Sequence, residues 1–386
     1  MRRFIVFVLL FAGLISASAQ EGFRIEHGPY LQNVLDSEVT IVWIASSNSI
    51  GWVEIAPEDG THFYGVERPK FFDSKNGIKT ASRIHKVRLT GLKPGTTYRY
   101  RVYSTSILEH KGNFVNYGRT AATVVYQKEP LRFTTLDPDA QSVSFAMVND
   151  MHGDADKMEN LLSLSDLGKT DMVLFVGDMV SIFNSEEQVF TGFMDRAVKL
   201  FASEKPMFYT RGNHETRGEI AYDFQDYFSP SQEHIYYMFR QGPVCFIALD
   251  SGEDKPDSDI EYSDANVYDQ YRDEQAEWLR KAVQSEEFKS APFKIVTCHI
   301  PGTGGWHGDV EVREKFFPIL NEAGIDVMLS GHQHRRVHVE PDAGRNFPIL
   351  VNSNVDVLKG TVTDKEQKIS ILNSEGKVID TLEIRK

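Results

Sequence analysis

Short segments in which apolar and polar residues alternate fill the chain from about residue 22 to residue 135. They are separated by Gly, Pro, Asn and Asp, which favour turns. This pattern predicts strands with one buried face, and their number predicts an all-β sandwich. The predicted strands cover residues 39–44, 53–55, 87–89, 98–102 and 122–126. We place the first domain at residues 22–136.

After a polar, turn-rich segment at 137–142, the pattern changes to continuous apolar runs that alternate with helical stretches. The apolar runs predict buried strands at 144–148, 172–176, 207–210, 244–249, 293–298 and 327–329. Helices are predicted at 155–167, 187–201, 273–283 and 310–321. Short strands return from 337 to 386 and should complete a sheet. Residues 142–386 are therefore predicted to form a layered α/β domain.

The first residues have the pattern of a signal peptide. A basic start at Arg2 and Arg3 is followed by an apolar run at 4–15 and by small residues that fit cleavage after Ala19. The run is shorter than the roughly 20 residues that a spanning helix needs. We therefore predict a signal peptide at residues 1–19, a secreted or periplasmic protein, and no membrane span after cleavage.

Charge and cysteine content narrow the partners and the chemistry. The formal charge of the chain is −13. A negatively charged protein repels the phosphate backbone of nucleic acid, so a small substrate is expected. The two cysteines, Cys245 and Cys298, each lie within an apolar run. We expect two free, buried thiols rather than a disulfide, although spacing alone does not exclude a bridge.

Polar residues follow five of the predicted strands at their carboxyl ends. They are Asp150, Asp178, Asn213, His299 and His332. A single polar residue after a strand is usually a turn or cap residue. Five of them in order point instead to the crevice at the carboxyl ends of the strands, where α/β sheets bind ligands.

The local motifs sharpen this prediction. They are Asp150-Met151-His152, Gly177-Asp178, Gly212-Asn213-His214-Glu215, Cys298-His299 and Gly331-His332-Gln333-His334. Carboxylate oxygen and imidazole nitrogen together suit Fe, Mn or Zn. In content and order these motifs, over residues 143–334, resemble the calcineurin-like metallophosphoesterase family.

The resemblance implies an α/β/β/α layered sandwich that holds two divalent or mixed-valence transition metal ions (Fe, Mn or Zn). One ion would be held by Asp150, His152, Asp178 and His334, and the other by Asp178, Asn213, His299 and His332, with Asp178 as the bridge. It further implies a phosphoesterase in which a metal-bridging hydroxide attacks a phosphomonoester in line with the leaving group, and the signal-peptide pattern makes this an exported enzyme. His214 would be the general acid, and His307 would contact substrate from the glycine-rich loop at 301–308.

The first domain adds a second resemblance. Residues 92–102 are similar to the corner of a fibronectin type III domain, in which a tyrosine hydroxyl ties a turn to the next strand, and Trp43 is expected in the core. A fibronectin III-like domain before a metallophosphoesterase domain resembles the architecture of plant-type purple acid phosphatases. Those enzymes carry an iron-binding tyrosine where this chain has Ser181, and they lack the histidine found here at His152. A colourless relative with divalent ions is expected.

Several alternatives stay open at this point. The same metal pair could serve a phosphodiesterase or a pyrophosphohydrolase, because it attacks either kind of ester. A non-catalytic surface-binding protein is a third hypothesis. Arg211, Arg335 and Arg336 adjoin the motifs without an assigned role, and neither the partner that orients His214 nor the oligomeric state follows from the sequence.

Overall fold

The computed structural model describes residues 22–123, 129–228 and 233–386. The predicted signal peptide at 1–19 lies outside these residues, as does most of the predicted strand 122–126. The described strands of the first domain are β1 Ile25–Gln32, β2 Glu38–Pro57, β3 Lys70–Phe72, β4 Ser74–Lys75, β5 Ile78–Lys79, β6 Ala81–Thr90, β7 Thr97–Lys111, β8 Phe114–Ala122 and β9 Leu131–Thr134.

The long strand β2 organises the first domain. It pairs with β1 and β6 along its first half and with β3 and β7 along its second half, and β7 also pairs with β8 and β9. The sequence predicted two strands here, at 39–44 and 53–55. The structure joins them, because the polar residues between them continue the strand through a register shift rather than ending it in a turn.

Two details predicted for the first domain are confirmed. Tyr98 Oη accepts a 3.0 Å hydrogen bond from the backbone N–H of Lys93, so a tyrosine hydroxyl closes the predicted corner. Trp43 is fully buried, and its Nε1 donates to Ser104 Oγ at 2.8 Å. The all-β sandwich is therefore present as predicted.

The second domain contains two facing six-stranded sheets. The strands are β10 Ser142–Val148, β11 Met172–Val176, β12 Met207–Thr210, β13 Tyr237–Gln241, β14 Val244–Leu249, β15 Phe293–Cys298, β16 Val327–Ser330, β17 Val337–Val339, β18 Ile349–Val351, β19 Val357–Thr363, β20 Glu366–Leu372 and β21 Val378–Arg385. One sheet has the order β12-β11-β10-β19-β20-β21, and the other has the order β13-β14-β15-β16-β18-β17.

Helices cover the outer face of each sheet. They are α1 Ala155–Ser163, α2 Glu186–Val189, α3 Asp195–Ala197, α4 Phe224–Tyr227, α5 Tyr268–Ala282, α6 Glu286–Lys289, α7 His307–Lys315 and α8 Phe317–Ala323. The inner core joins Phe145 and Leu174 of one sheet to Phe246 and Ile295 of the other. Because each sheet buries its second face under helices, the domain is the predicted α/β/β/α sandwich.

Two predicted helices are divided in the structure, and the other two, predicted at 155–167 and 273–283, are α1 and α5 with shifted bounds. The predicted helix 187–201 runs as α2 and α3 with a π-helical turn after each, at Phe190–Met194 and Val198–Ala202. The predicted helix 310–321 is divided into α7 and α8 at Phe316. Pro318 lacks an N–H and fits only the first turn of a helix, so a new helix begins there.

The sandwich and the second domain share buried hydrogen bonds. Tyr30 Oη donates to the carbonyl of Tyr227 at 2.9 Å, and Tyr100 Oη donates to the carbonyl of Ser203 at 2.6 Å. All four residues are buried. Buried polar groups are costly to leave unpaired, so these bonds hold the two domains in a defined orientation.

The remaining predictions for the described chain concern the cysteines and the membrane. Cys245 and Cys298 are free, buried thiols, as predicted, and burial raises the pKa of each thiol. Within the described residues, none of the helices combines the length and the apolar character required to cross a bilayer.

Candidate metal centre

The candidate site lies where parallel strands of the two sheets end side by side. Asp150, Asp178 and Asn213 follow β10, β11 and β12 of one sheet, while His299 and His332 follow β15 and β16 of the other. Strands β10, β11 and β12 are parallel to one another, as are β15 and β16. Their carboxyl ends therefore bring these side chains to one edge of the double sheet.

The backbone turns sharply at most of these positions. Asp150, His152, Asp178, His332 and His334 all adopt positive φ angles, between 52° and 71°. Non-glycine residues seldom enter this left-handed region, and the conformation is unfavourable for them. Five instances at one site are typical of backbone strain that is retained for function.

Two glycines of the motifs make room for neighbouring site residues. A Cβ atom at Gly177 would lie 2.3 Å from His299 Nδ1, and one at Gly212 would lie 2.3 Å from Asp178 Oδ1. Real Cβ atoms do not approach other atoms so closely. The Gly-Asp and Gly-Asn pairs thus allow the ends of β11, β12 and β15 to pack directly against one another.

Asp150, His152 and His334 form one group of convergent ligand atoms. His334 Nε2 lies 3.2 Å from Asp150 Oδ1 and 3.0 Å from His152 Nε2. Asp178 approaches His152 in a second group that also includes His214. These are the four side chains that the sequence assigned to the first ion.

Asp178, His299 and His332 form the adjoining group. His299 Nε2 lies 3.0 Å from Asp178 Oδ2, and His332 Nδ1 lies 3.1 Å from Asn213 Oδ1. His299 Nδ1 donates to the carbonyl of Val176 at 2.8 Å, which leaves Nε2 as the nitrogen that can bind a metal. These four side chains are those assigned to the second ion, and Asp178 belongs to both sets.

Two buried atoms in the centre of the cluster lack hydrogen-bond partners. They are Asp150 Oδ1 and His299 Nε2, which lie 3.9 Å apart. Both side chains are completely buried. The nearest charged group to His299 Nε2 is Asp178 Oδ2, at 3.0 Å. Buried polar atoms are nearly always satisfied, so this pair fits a bound cation.

The charges of the cluster favour the same interpretation. Burial lowers the pKa of His299, but Asp178 and Asp150 outweigh this effect and raise the pKa of His299 to about 10. Burial alone would raise the pKa of Asp178, but the positive charge of His299 outweighs burial, so the pKa of Asp178 is lowered. Two buried carboxylates therefore demand positive charge beside them, which a metal ion can supply in place of a proton.

His214 lies at the edge of this cluster. Its Nδ1 donates to the carbonyl of Ser181 at 2.7 Å, and its Nε2 lies 3.8 Å from Asp178 Oδ2. Its backbone N–H donates to Asp178 Oδ1 at 3.0 Å. The partner that orients the ring is thus a backbone carbonyl, which no side-chain motif could have revealed.

Glu215 is the first important residue that the sequence reasoning missed. Its carboxylate is fully buried and accepts hydrogen bonds from the N–H groups of Asp178 and Gly212, at 2.9 and 2.8 Å. It also accepts from the N–H groups of Met179 and Val180 and from Tyr209 Oη. Its position directly after His214 was the available signal.

The sequence reasoning also missed a pair of buried amides, Asn149 and Asn352. Asn149 Nδ2 donates to Asp150 Oδ2 at 2.5 Å, and the N–H of His332 donates to the same oxygen at 2.9 Å. Asn352 Nδ2 donates to Asn149 Oδ1 at 2.8 Å. Because Oδ2 of Asp150 is occupied by two donors, Oδ1 is the oxygen turned toward the ligand cluster.

His307 belongs to a separate group of convergent side chains, with Asp269 and Glu311, and the three arginines contact other residues. His307 begins α7, and its Nε2 lies 2.7 Å from Asp269 Oδ1, so its assignment to substrate stays a prediction. Arg211 is paired with Asp250 at 2.7 Å. Arg336 donates to the carbonyl of Ile379, and Arg335 has a long bond to Gln333.

Comparisons with known proteins agree with this geometry. A family model described as calcineurin-like phosphoesterase matches residues 143–336, and one described as purple acid phosphatase, N-terminal domain, matches residues 29–129. Purple acid phosphatase 18 of Arabidopsis thaliana is 26% identical over 272 residues, which are 64% of this chain and 57% of that protein. An uncharacterized protein of Mycobacterium tuberculosis is 24% identical over 364 residues, which are 84% of this chain and 65% of that protein.

A solved structure shows the same fold. The purple acid phosphatase from yellow lupin (Lupinus luteus) seeds superposes with a TM-score of 0.66 at 15% identity, covering 92% of this chain and 74% of that one. The chain spans less than two thirds of the length of the two curated relatives named above. The matched model covers half of the chain, including every motif of the candidate site. The chain therefore belongs to the calcineurin-like phosphoesterase family, and it carries an N-terminal domain of the purple acid phosphatase type.

Proposed function

We propose that this protein hydrolyses phosphomonoesters at a dinuclear metal centre. The observation that carries the proposal is a pair of fully buried ligand atoms that lack a hydrogen bond, Asp150 Oδ1 and His299 Nε2, in the middle of a cluster of carboxylates and imidazoles. Membership of a family that uses dinuclear centres supports it independently.

The proposed ligands divide into two sets that share Asp178. Asp150, His152, Asp178 and His334 would hold one ion, and Asp178, Asn213, His299 and His332 would hold the other. The donor set mixes carboxylate, amide and imidazole groups and suits Fe, Mn or Zn. When bound, two such ions supply an activated water and neutralise the phosphoryl oxygens.

His214 would supply the proton for the leaving group, which the metal ligands cannot provide. Its Nδ1 proton is held by the carbonyl of Ser181, so Nε2 is the atom that faces the cluster. A proton carried at Nε2 can pass to the leaving oxygen of the ester, which would otherwise depart as an alkoxide. No serine or cysteine nucleophile is needed, and both cysteines are buried in the sheet.

The experiment combines metal analysis with a substrate panel. Wild-type protein, Asp178→Asn and the control Asp156→Asn, whose carboxylate is exposed on α1, are assayed with a phosphomonoester and a phosphodiester. The proposal expects monoester hydrolysis and bound metal in the wild type and the control, and loss of both in Asp178→Asn. Unchanged hydrolysis and metal content in Asp178→Asn would show the proposal to be wrong.

The same panel decides between the alternatives. Faster hydrolysis of the diester or of a pyrophosphate than of the monoester would assign the centre to the phosphodiesterase or pyrophosphohydrolase reaction. Absence of hydrolysis with any ester, together with partner binding by residues 22–136 alone, would support the surface-binding protein. The retention of all the expected ligand types argues for an enzyme.

We further propose that the protein is exported and acts on small phosphoesters. The proposal of export depends on the signal-peptide pattern at residues 1–19, and the negative formal charge of −13 disfavours nucleic acid as a substrate. Sequencing of the amino terminus of the protein recovered outside the cytoplasm should begin at Gln20. Recovery of the intact Met1 terminus from the cytoplasm alone would contradict it.

A further inference from the structure

Trp306 is a largely exposed aromatic residue. It is 56% exposed, and it alone of the four tryptophans in the sequence is among the strongly exposed hydrophobic residues. A single exposed aromatic residue is common on protein surfaces, so the position and the contacts of Trp306, and not its exposure alone, make it a candidate for ligand contact.

The loop that carries Trp306 is fixed next to the metal centre. On one side, Gln333 Nε2 donates to Thr303 Oγ1 at 3.1 Å, and Gln333 separates the proposed ligands His332 and His334. On the other side, Gly308 N donates to the carbonyl of Asp254 at 2.9 Å. Trp306 therefore lies on a segment held between the His332–Gln333–His334 motif and the loop that contains Asp254.

The second loop is in turn tied to the segment that carries His214. Glu253 is fully buried and accepts hydrogen bonds from Arg217 Nε at 2.7 Å and from Thr216 Oγ1 at 2.6 Å. Thr216 and Arg217 belong to the turn that begins with Asn213 and His214. The adjacent residues Glu253 and Asp254 thus connect the turn of the proposed general acid with the loop that carries Trp306.

The ammonium group of Lys255 lies over one face of the Trp306 indole. Its Nζ lies 5.3 Å from the centre of the Trp306 ring, a cation–π distance. The same ammonium is fixed by Glu261 at 2.9 Å and by Asp254 at 3.3 Å. The ring is therefore oriented before a ligand arrives, which reduces the entropy cost of stacking against it.

The charge around the indole restricts what it can accept. Residues 251–271 contain seven acidic residues and one basic residue, Lys255. Arg217 pairs with Glu253 and Asp254, and Arg272 pairs with Asp269, but the acidic residues still outnumber these cations. A second phosphate or a carboxylate on the ligand would be repelled here. An uncharged aromatic ring would meet no such penalty.

We propose that Trp306 is the platform on which an uncharged aromatic leaving group of the substrate stacks while its phosphoryl group lies at the metal centre. This inference rests on the proposed phosphomonoesterase function and names its substrate class as the phosphomonoesters of aromatic alcohols. Trp306 would set specificity and would take no part in bond breaking.

The test compares an aromatic with an aliphatic ester. In the metal-loaded enzyme, Trp306→Ala lowers kcat/KM for 2-naphthyl phosphate about tenfold, the usual worth of stacking on an aromatic side chain, and leaves glycerol 2-phosphate unchanged. Trp306→Phe keeps most of the activity towards the naphthyl ester. Phe114→Ala, which removes a 61% exposed aromatic ring from the first domain, changes neither value.

Other outcomes separate this inference from the proposed function. If Trp306→Ala lowers kcat/KM equally for both esters, or for neither, the platform is overturned while the phosphoesterase function stands. If a ring sulfonate on the naphthyl ester leaves kcat/KM of the wild type unchanged at low ionic strength, the restriction to uncharged rings is overturned. If the wild type hydrolyses neither ester, the proposed function itself is wrong.

Discussion

Glu215 Oε2 accepts a 2.9 Å hydrogen bond from the backbone N–H of Asp178, the residue proposed to bridge the two ions. The other oxygen, Oε1, accepts from the N–H of Met179 at 2.7 Å. The carboxylate thereby fixes the left-handed turn after β11, where Asp178 has a φ of 55°. One buried side chain keeps the metal-facing oxygens in place without contacting the metal itself.

Replacing Glu215 with Gln should disturb this turn. The amide NH₂ would face backbone N–H groups, leaving buried donors unpaired, which costs on the order of 3 kcal/mol in the free energy of unfolding. Metal affinity should fall as well. Urea denaturation and metal titration measure both effects. Glu219→Gln, which removes the same charge from an exposed position, should change neither, and equal behaviour of the two variants would contradict the proposed role.

His214 should matter for the rate and not for metal binding. His214→Asn is expected to lower kcat about 10²- to 10⁴-fold for an alkyl phosphate, the usual range for loss of general acid catalysis. For 4-nitrophenyl phosphate the loss should be much smaller, because nitrophenolate leaves without a proton. Steady-state kinetics with both esters, alongside elemental analysis, provides the measurement. An equal loss for both esters would indicate that His214 only positions the substrate.

The Asn149–Asn352 pair should tune metal affinity. Asn149→Ala removes a donor from Asp150 Oδ2, so the carboxylate can rotate away from the cluster. Loss of such a supporting hydrogen bond commonly weakens metal binding 10- to 100-fold. Competition with a chromogenic chelator measures the affinity. Asn160→Ala on the exposed face of α1 is the control, and an unchanged affinity in Asn149→Ala would refute this role.

The metal-free protein should lose stability as pH rises. The pKa of His299 is raised from 6.5 to about 10 in the folded state, so its protonated form stabilises the fold fully below about pH 6.5. That contribution disappears as pH rises through about 10. With a chelator present, the difference in unfolding free energy between wild type and His299→Gln should therefore shrink from pH 6 to pH 10. If the difference in unfolding free energy between the two proteins grows with pH, the prediction is contradicted.

Ser181 determines the colour expected of an iron-loaded protein. From the sequence we predict that Ser181 stands where purple acid phosphatases carry a metal-binding tyrosine, and a serine offers only a short hydroxyl. Iron-loaded wild type should lack a tyrosinate charge-transfer band in the visible spectrum, and Ser181→Tyr should gain one. Absorption spectroscopy of both proteins decides the point. A violet wild type would mean that another tyrosine binds the iron.

Much of the second domain was predictable because its buried strands are continuous apolar runs. Strands β11, β12, β14 and β15 have the predicted bounds. The polar residues that end such runs, Asp178 and His299 among them, must lie at the edge where parallel strands finish. Local pattern and topology were therefore sufficient to bring the ligand candidates together.

Other features depend on contacts that no local pattern encodes. Asn352 lies 203 residues after Asn149 in the sequence, so their pairing is visible only in the folded chain. The carbonyl of Ser181 that orients His214 is a backbone group, which every residue possesses. The union of two predicted strands into β2 involves pairing of intervening residues with β6 and β7, which a local pattern does not encode.

The most direct measurement is anomalous X-ray scattering from crystals of the protein loaded with manganese or zinc. The account predicts two strong peaks separated by about 3.5–4 Å, the usual spacing of a two-metal site. One should lie among Asp150, His152, Asp178 and His334, and the other among Asp178, Asn213, His299 and His332. A single peak, or peaks that leave Asp178 without a metal neighbour, would contradict it.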